Sequence, residues 1–470
     1  MNKTGRDGPA NNCSTKVSKS ERSGLLPTVT FKMPKKIVKK SRSQKFLDVV
    51  FSLIPILGWL PKYKLKDNLV YDAIGGMTVG IMSVPQGMAY ATLVGLPPAN
   101  GLYTSLFPPI IYMIFGTSRH VSLGVFAVVS LLTGSCNIRV TEIIAQERNI
   151  TVSFDDPQIT AISVSIVTSL ALLVGIIQIT MGLARLDFLT TYLSEQIVQG
   201  FMTGAAFHVF TAQINKILGV PLPRRNGFGK FFFMYYDFAM RLINDQQNNY
   251  TIIASVVCLI LLFSAKQWIG PLCAKCCKIP IPIDLFVVIF GTLISHMLHF
   301  STKFGIKVVG NIPTGIPAPA VPDITLFHYF VSDAFALAII ILVVTISMGK
   351  QFALKHSYEI DVRQEFFALG IVETVSSFLP CWPSSTALAR TLVYEAAGTK
   401  TQCFLACIVI VALKGMFMQL QQISFLWKRS KLDCAVFMIT LVATVVSDIL
   451  PGLLIGTVAG ALLVFYRFQA

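Results

Sequence analysis

Residues Cys381 to Glu395 read CWPSSTALARTLVYE. Upstream, Ile371 to Leu379 is an apolar run interrupted by Glu373, and downstream Cys403 to Leu413 is apolar again. A guanidinium keeps its charge, and placing one in hydrocarbon costs at least about 2.5 kcal/mol on insertion scales. Arg390 therefore needs a reason for its place beside Ser384, Ser385, Thr386 and Pro383. One reason is structural: an ion pair with Glu373 or Asp284, or a side chain that snorkels from a helix end. The other is functional: a fixed positive charge facing an anion in a central cavity. The hydroxyl cluster favours the second, and a hydroxyl that caps a helix can also serve an anion.

The rest of the chain sets the medium. Of 470 residues, 54% are hydrophobic and 13% charged, and the mean hydropathy is +0.66. Soluble domains carry about 25% charged residues. Ala161–Met181, Ile283–Leu298 and Ala334–Met348 approach the roughly 20 apolar residues that cross a bilayer. Shorter or Gly/Pro-interrupted runs lie at Ala73–Tyr90, Ile110–Gly116, Ser122–Leu132, Ile252–Phe263, Ala435–Val445 and Leu453–Tyr466. Broken backbone at membrane depth persists only where protein or a wet cavity satisfies it. The chain reads as an all-α polytopic membrane protein.

The net charge of +16 has a local source. Residues 1–45 hold twelve Lys or Arg against Asp7 and Glu21, which predicts a disordered cytoplasmic tail facing anionic lipid. No stacking aromatics accompany the basic run, so nucleic acid is not an expected partner. Residues 46–68 read as an amphipathic segment lying in the interface, and 69–470 as the transmembrane domain. Cys273, Cys276 and Cys277 lack a second pair or a nearby histidine, so no metal or cofactor is expected; a juxtamembrane structural or lipidated site fits CAKCC better. Asn12, Asn149 and Asn249 head glycosylation sequons, and Asn149 is the best candidate because it falls in a polar stretch between Leu132 and Ala161.

A second polar-to-apolar start occurs in the first half: GTSRHVSLGVFAVVSLL, Gly116–Leu132. Two such starts, one per half, predict an internal inverted repeat whose half-helices begin at mid-membrane. Their N-termini would aim unsatisfied N–H groups and a positive dipole end at an anion. Gln86 and Tyr90, four apart in a Gly-punctuated helical stretch, share a face. Glu195 reads either as a residue that caps or bridges helices or as a gating or coupling residue. Asp284 heads an apolar run and reads either as an N-terminal helix charge or as a gating or coupling carboxylate. Lys350–Glu365 is charged enough to read as a loop between spans. No phosphate-binding loop, nucleophile elbow or HExxH motif is present, so enzyme and ATP-driven pump are poorly supported.

The fragment PQGMAYATLVGLPPANGLYTSLFPPIIYMIFGTSRHVSLGVFAVVSL, residues 85–131, resembles the signature of the eukaryotic solute carrier 26 / sulfate permease family of anion transporters. YLSEQIVQGFMTGAAFHV, PIPID, HSYEIDVRQEFFALG, ALARTLVYEAAGTKTQ, IVIVALKGMFMQ and the closing YRFQ extend the resemblance over most of residues 50–470. It implies fourteen membrane segments in two inverted repeats of seven, forming a core and a gate, with half-helices at Ser122–Leu132 and about Ser384–Tyr394. It further implies a homodimer in the plasma membrane that exchanges sulfate, chloride, bicarbonate, oxalate or related anions by elevator-like alternating access. An anion channel, or a voltage-responsive member that binds chloride, is the next reading. By residue, the resemblance assigns the anion to Gln86, Tyr90, Phe126 and Arg390, with Ser384, Ser385 and Thr386 beside them.

The chain also departs from that pattern. Ala389 stands where the family usually has serine, Val125 where it has proline, and DVRQE where it has DGNQE. After Gln402 about 25 residues, one crossing, are expected to be missing, which leaves 12–13 segments. The chain ends where the regulatory domain would begin. These departures lead to the expectation of a shortened form, which transports or else associates with full-length partners without transporting.

Overall fold

A computed structural model describes residues 51, 53–59, 61, 79–80, 83–148, 156–186, 195–217, 230–243, 249–269, 283–299, 303–304, 315, 317–387, 390–391, 431–447 and 449–469. The basic tail, Asn149, CAKCC, Ala389 and the expected gap after Gln402 lie outside them. In chain order the helices used below are α1 (Ile56–Trp59), α2 (83–94), α3 (Pro98–Phe115), α4 (Ala127–Glu147), α5 (Pro157–Leu183), α6 (Glu195–Ile217), α7 (Lys230–Ile243), α8 (Asn249–Ser264), α9 (Ile283–Met297), α10 (Val331–Lys355), α11 (Val362–Ser377), α12 (Lys431–Ser447) and α13 (Ile449–Gln469). Strands β1 (Leu123–Gly124) and β2 (Ser385–Thr386) complete the set.

Local chemistry explains where these helices begin. Asp156 accepts from the Gln158 amide at 2.9 Å, and Pro157, which has no N–H to lose, opens α5. Asp361 accepts from the amides of Arg363 and Gln364 at the start of α11. Asp323 caps a 3₁₀ turn, Ile324–Tyr329; the Thr325 hydroxyl and then its amide hold the Asp323 carboxyl below its usual value. By length and composition alone, α4, α5 and α10 can each cross a membrane.

Two helices run further than their hydropathy suggests. Helix α4 continues fifteen residues past Leu132 to Glu147, through the polar stretch. Two of its buried polar residues are matched: Asn137 donates to the Val94 carbonyl at 3.0 Å, and Thr141 lies 3.4 Å from Ser163 on α5. Arg139 pairs with Asp333 of α10. Helix α10 likewise continues to Lys355, so the charged stretch from Lys350 to Glu365 contributes a connection of only residues 356–361. In α4, neighbouring segments satisfy polar side chains that a hydropathy window counts as breaks.

Packing is densest in two groups, which meet in one buried core through Phe201, Val436 and Leu453. Helix α11 lies against α5, α3 and α10, around a core that includes Leu123, Phe126, Val174, Leu342, Phe366 and Trp382. Helices α6, α12 and α13 pack on one another, with Cys434, Phe437 and Leu441 between them. Small residues permit that approach: Gly204 and Gly452 each face Thr444, and Gly456 faces Thr440. The threonine hydroxyls bond back to their own helix, Thr440 to Val436 O at 2.8 Å and Thr444 to Thr440 O at 2.7 Å, leaving little polar surface at the contact.

Candidate anion site

The two starts singled out in the sequence meet in space. Leu123 pairs with Thr386 and Gly124 with Ser385 in an antiparallel ladder. Beyond its ends, the Ala387 amide donates to Ser122 O at 3.3 Å, and the Ser122 amide donates to Thr391 Oγ1 at 3.3 Å. This ladder was not legible in the sequence, which suggests only half-helices at Ser122–Leu132 and from Ser384. The physical reason is that an extended segment in a low-dielectric core must satisfy its N–H and C=O groups, and two such segments satisfy each other. Consequently α4 starts at Ala127, after an extended Phe126, and the described helical residues of the second start are Arg390 and Thr391. The Thr391 amide bonds to Ala387 O at 2.9 Å, one helical turn back.

No side chain caps α4. Its first N–H groups lack intrahelical partners by construction, and the dipole adds partial positive charge at that end. Arg390 is fully buried there. Its Nη2 donates to the Val125 carbonyl at 2.7 Å, whereas Nε and Nη1 have no partner among the described residues. Gly124 makes room for it: a methyl on Gly124 would sit 3.0 Å from Nη2, and φ of +140° is itself a glycine conformation.

Gln86 and Tyr90 do share a face of α2: Gln86 Nε2 donates to Tyr90 Oη at 3.3 Å, and both side chains are buried. A half-turn of the amide would let its oxygen accept from Tyr90 and leave the NH2 group unpaired. Tyr90 lies within electrostatic reach of Arg390. Tyr90 and Phe126 belong to the same buried cluster as Leu123, Ala387 and Trp382.

The three hydroxyls after Pro383 have different surroundings. Ser384 donates both its amide, at 3.0 Å, and its hydroxyl, at 2.7 Å, to Glu373. Thr386 donates to Thr345 of α10 at 3.0 Å. Ser385 Oγ is buried and has no partner among the described residues. Glu373 is thus engaged with Ser384, and no Glu373–Arg390 ion pair forms. Glu195 and Asp284 stand in the first turns of α6 and α9, away from the ladder in sequence, and their side chains lie outside the description.

Sequence reasoning missed several supports. Trp382 Nε1 donates to Ser130 Oγ at 3.2 Å, tying the approach to β2 onto the first turn of α4. Asn100 donates to Pro380 O at 3.0 Å, and the Trp382 amide to Thr104 Oγ1 at 3.3 Å. A tryptophan beside a proline offers a faint signal, but its partner lies 252 residues away.

Two chain breaks pair as strands beside a buried arginine, and the fold is that of the inverted-repeat transporters. Residues 69–403 match the Sulfate permease family, and the chain belongs to that family. It is 37% identical to zebrafish (Danio rerio) prestin, over 91% of this chain and 61% of that protein. It is 35% identical to human solute carrier family 26 member 6, over 88% of this chain and 57% of that protein. In three dimensions it is similar to the overall structure of SLC26A9, with a TM-score of 0.82 and 30% identity, over 93% of this chain and 73% of that one. The chain spans about three fifths of the length of the curated relatives it matches.

Proposed function

We propose that the chain carries small anions such as sulfate, chloride, bicarbonate or oxalate across a membrane, as a secondary transporter working by alternating access. One observation carries this reading. Arg390 is fully buried, yet two of its three nitrogens have no described partner. A permanently charged group is costly to bury unless something meets it. An anion between the α4 N-terminus, Arg390 and Ser385 supplies what is missing. Phe126 and Tyr90 would shape the apolar side of such a site, and Gln86 and the Tyr90 hydroxyl would add donors. Desolvating a divalent anion calls for most of these donors, while a monovalent ion needs fewer. Motion of the α11 group relative to the α6–α12–α13 group would expose the site to each side in turn, with Asp284 and Glu195 as gate residues. A homodimer in the plasma membrane is the assembly that fits a family of this kind.

The test is anion flux into proteoliposomes containing the full chain, with and without an opposing anion. Flux that requires a counter-anion supports exchange. Current without a counter-anion moves the reading to a channel. Arg390→Gln should weaken chloride binding by about 3 kcal/mol, two charge-assisted hydrogen bonds, while leaving expression and insertion intact. Unchanged flux in that variant would sink the site.

A further inference from the structure

Arg390 is not the only buried charge in this apparatus. Glu373, on α11, is fully buried as well. Among the described residues its partners are the Ser384 amide, 3.0 and 3.2 Å from its two oxygens, and the Ser384 hydroxyl at 2.7 Å. All are neutral donors. The helices packed on α11 bring no counter-charge to its middle. Helix α5, Pro157–Leu183, contains no ionisable residue at all. Helix α3 offers Tyr103 and Tyr112, and Tyr112 already donates to Glu365. Helix α10 carries Asp333 at its start, paired with Arg139, and Lys350 and Lys355 at its far end. On α11 itself Arg363 and Glu365 lie in the first turn. The Cys381 thiol, also buried, feels the Glu373 carboxylate.

From this we infer that Glu373 makes anion binding beside Arg390 proton-linked, so that the site takes up one proton with each anion. The inference rests on the anion-site reading above. Ser384, the residue Glu373 holds, precedes β2 directly, and β2 is paired to the strand that backs Arg390. An anion at Ser385 and Arg390 therefore arrives one residue from the carboxylate's partner. Two negative charges in a weakly screened interior oppose each other. Protonation of Glu373 removes that opposition and keeps an acceptor oxygen for Ser384. Linkage makes the effect mutual: the anion raises the carboxylate's proton affinity, and the proton raises the anion's affinity by the same factor. The sign follows, with tighter anion binding at lower pH. A carboxylate that served only to hold the Ser384 amide would show no such coupling.

The experiment measures radiolabelled chloride binding to the purified full chain from mildly acid to mildly alkaline pH. In parallel, an indicator dye in weak buffer follows proton uptake when chloride is added. Wild type should lose affinity by up to about tenfold per pH unit through the titration range and take up about one proton per chloride. Glu373→Gln, which keeps an oxygen for Ser384, should bind chloride with a flat pH profile and no proton uptake. Glu373→Asp should keep the slope. The inference is overturned if Glu373→Gln retains the wild-type slope. It is overturned equally if wild type binds chloride with a flat profile and takes up no proton, a result that needs no variant to fold. Failure of wild type to bind chloride at every pH overturns the anion-site reading itself, and the linkage with it.

Discussion

Two buried charges frame the same body of the protein, and their surroundings differ in kind. Glu365, at the start of α11, accepts from the Tyr112 hydroxyl at 2.8 Å, the Thr117 amide at 2.8 Å, the Thr117 hydroxyl at 2.5 Å and the Ser118 amide at 3.3 Å. Its neighbour Gln364 donates to the carbonyls of Leu53 and Phe115, both at 3.0 Å. This region uses a carboxylate to pin the end of α3, the segment leading to β1, and α11 together. Arg390, in contrast, donates once to Val125 O and leaves Nε and Nη1 without described partners. The saturated charge belongs to the scaffold, while the unsaturated one is where, on the proposed reading, an anion would bind. Burial alone would have placed both in one category.

That contrast can be broken at either end. Removing the saturated charge should have the largest effect on folding: Glu365→Ala strands the buried Tyr112 hydroxyl and three part-buried donors of Thr117 and Ser118 at once. It should cost about 3–5 kcal/mol, seen as a lower midpoint of thermal unfolding in detergent. The folded fraction should still bind chloride with unchanged affinity, and a large loss of affinity would show that the two regions are one. Gly124→Ala sits between the ends. It forces a side chain into a conformation with φ of +140° and crowds Arg390 Nη2 at 3.0 Å. The expected cost is about 1–3 kcal/mol of stability, with chloride affinity falling as well, because the guanidinium must move. Stability loss with full affinity would mean that Gly124 serves the backbone only. The smallest change is Asp361→Ala, which removes the cap of α11 for about 1 kcal/mol and should leave anion affinity alone. Calorimetry paired with the binding assay checks it.

How much of this was legible beforehand varies with the range of the interaction. The Gln86–Tyr90 pair lies within one helical turn, and its spacing alone places both on one face. The helix starts at Asp156 and Asp361 are likewise written in adjacent residues. The full length of α4 was not legible, because Asn137 and Arg139 are accommodated by Val94 and Asp333 from elsewhere in the chain. Glu373 drew attention as a candidate partner for Arg390. The chain instead bends it onto Ser384, eleven residues on, because the bare amide before β2 is the nearer claim on a buried acceptor.

By itself, then, the amino-acid sequence determined the medium, the helical character, the family to which the chain belongs, and the two polar starts in which a positive charge sits among hydroxyls. Those are properties of composition and short spacing. Only the tertiary structure decided that the two starts cross as a strand pair, that Val125 O takes one arginine nitrogen, and that Glu373 and Arg390 stay apart. The first two join groups more than 260 residues apart and the third groups eleven apart; in each, buried donors and acceptors compete in a medium without water, and proximity in space settles that competition.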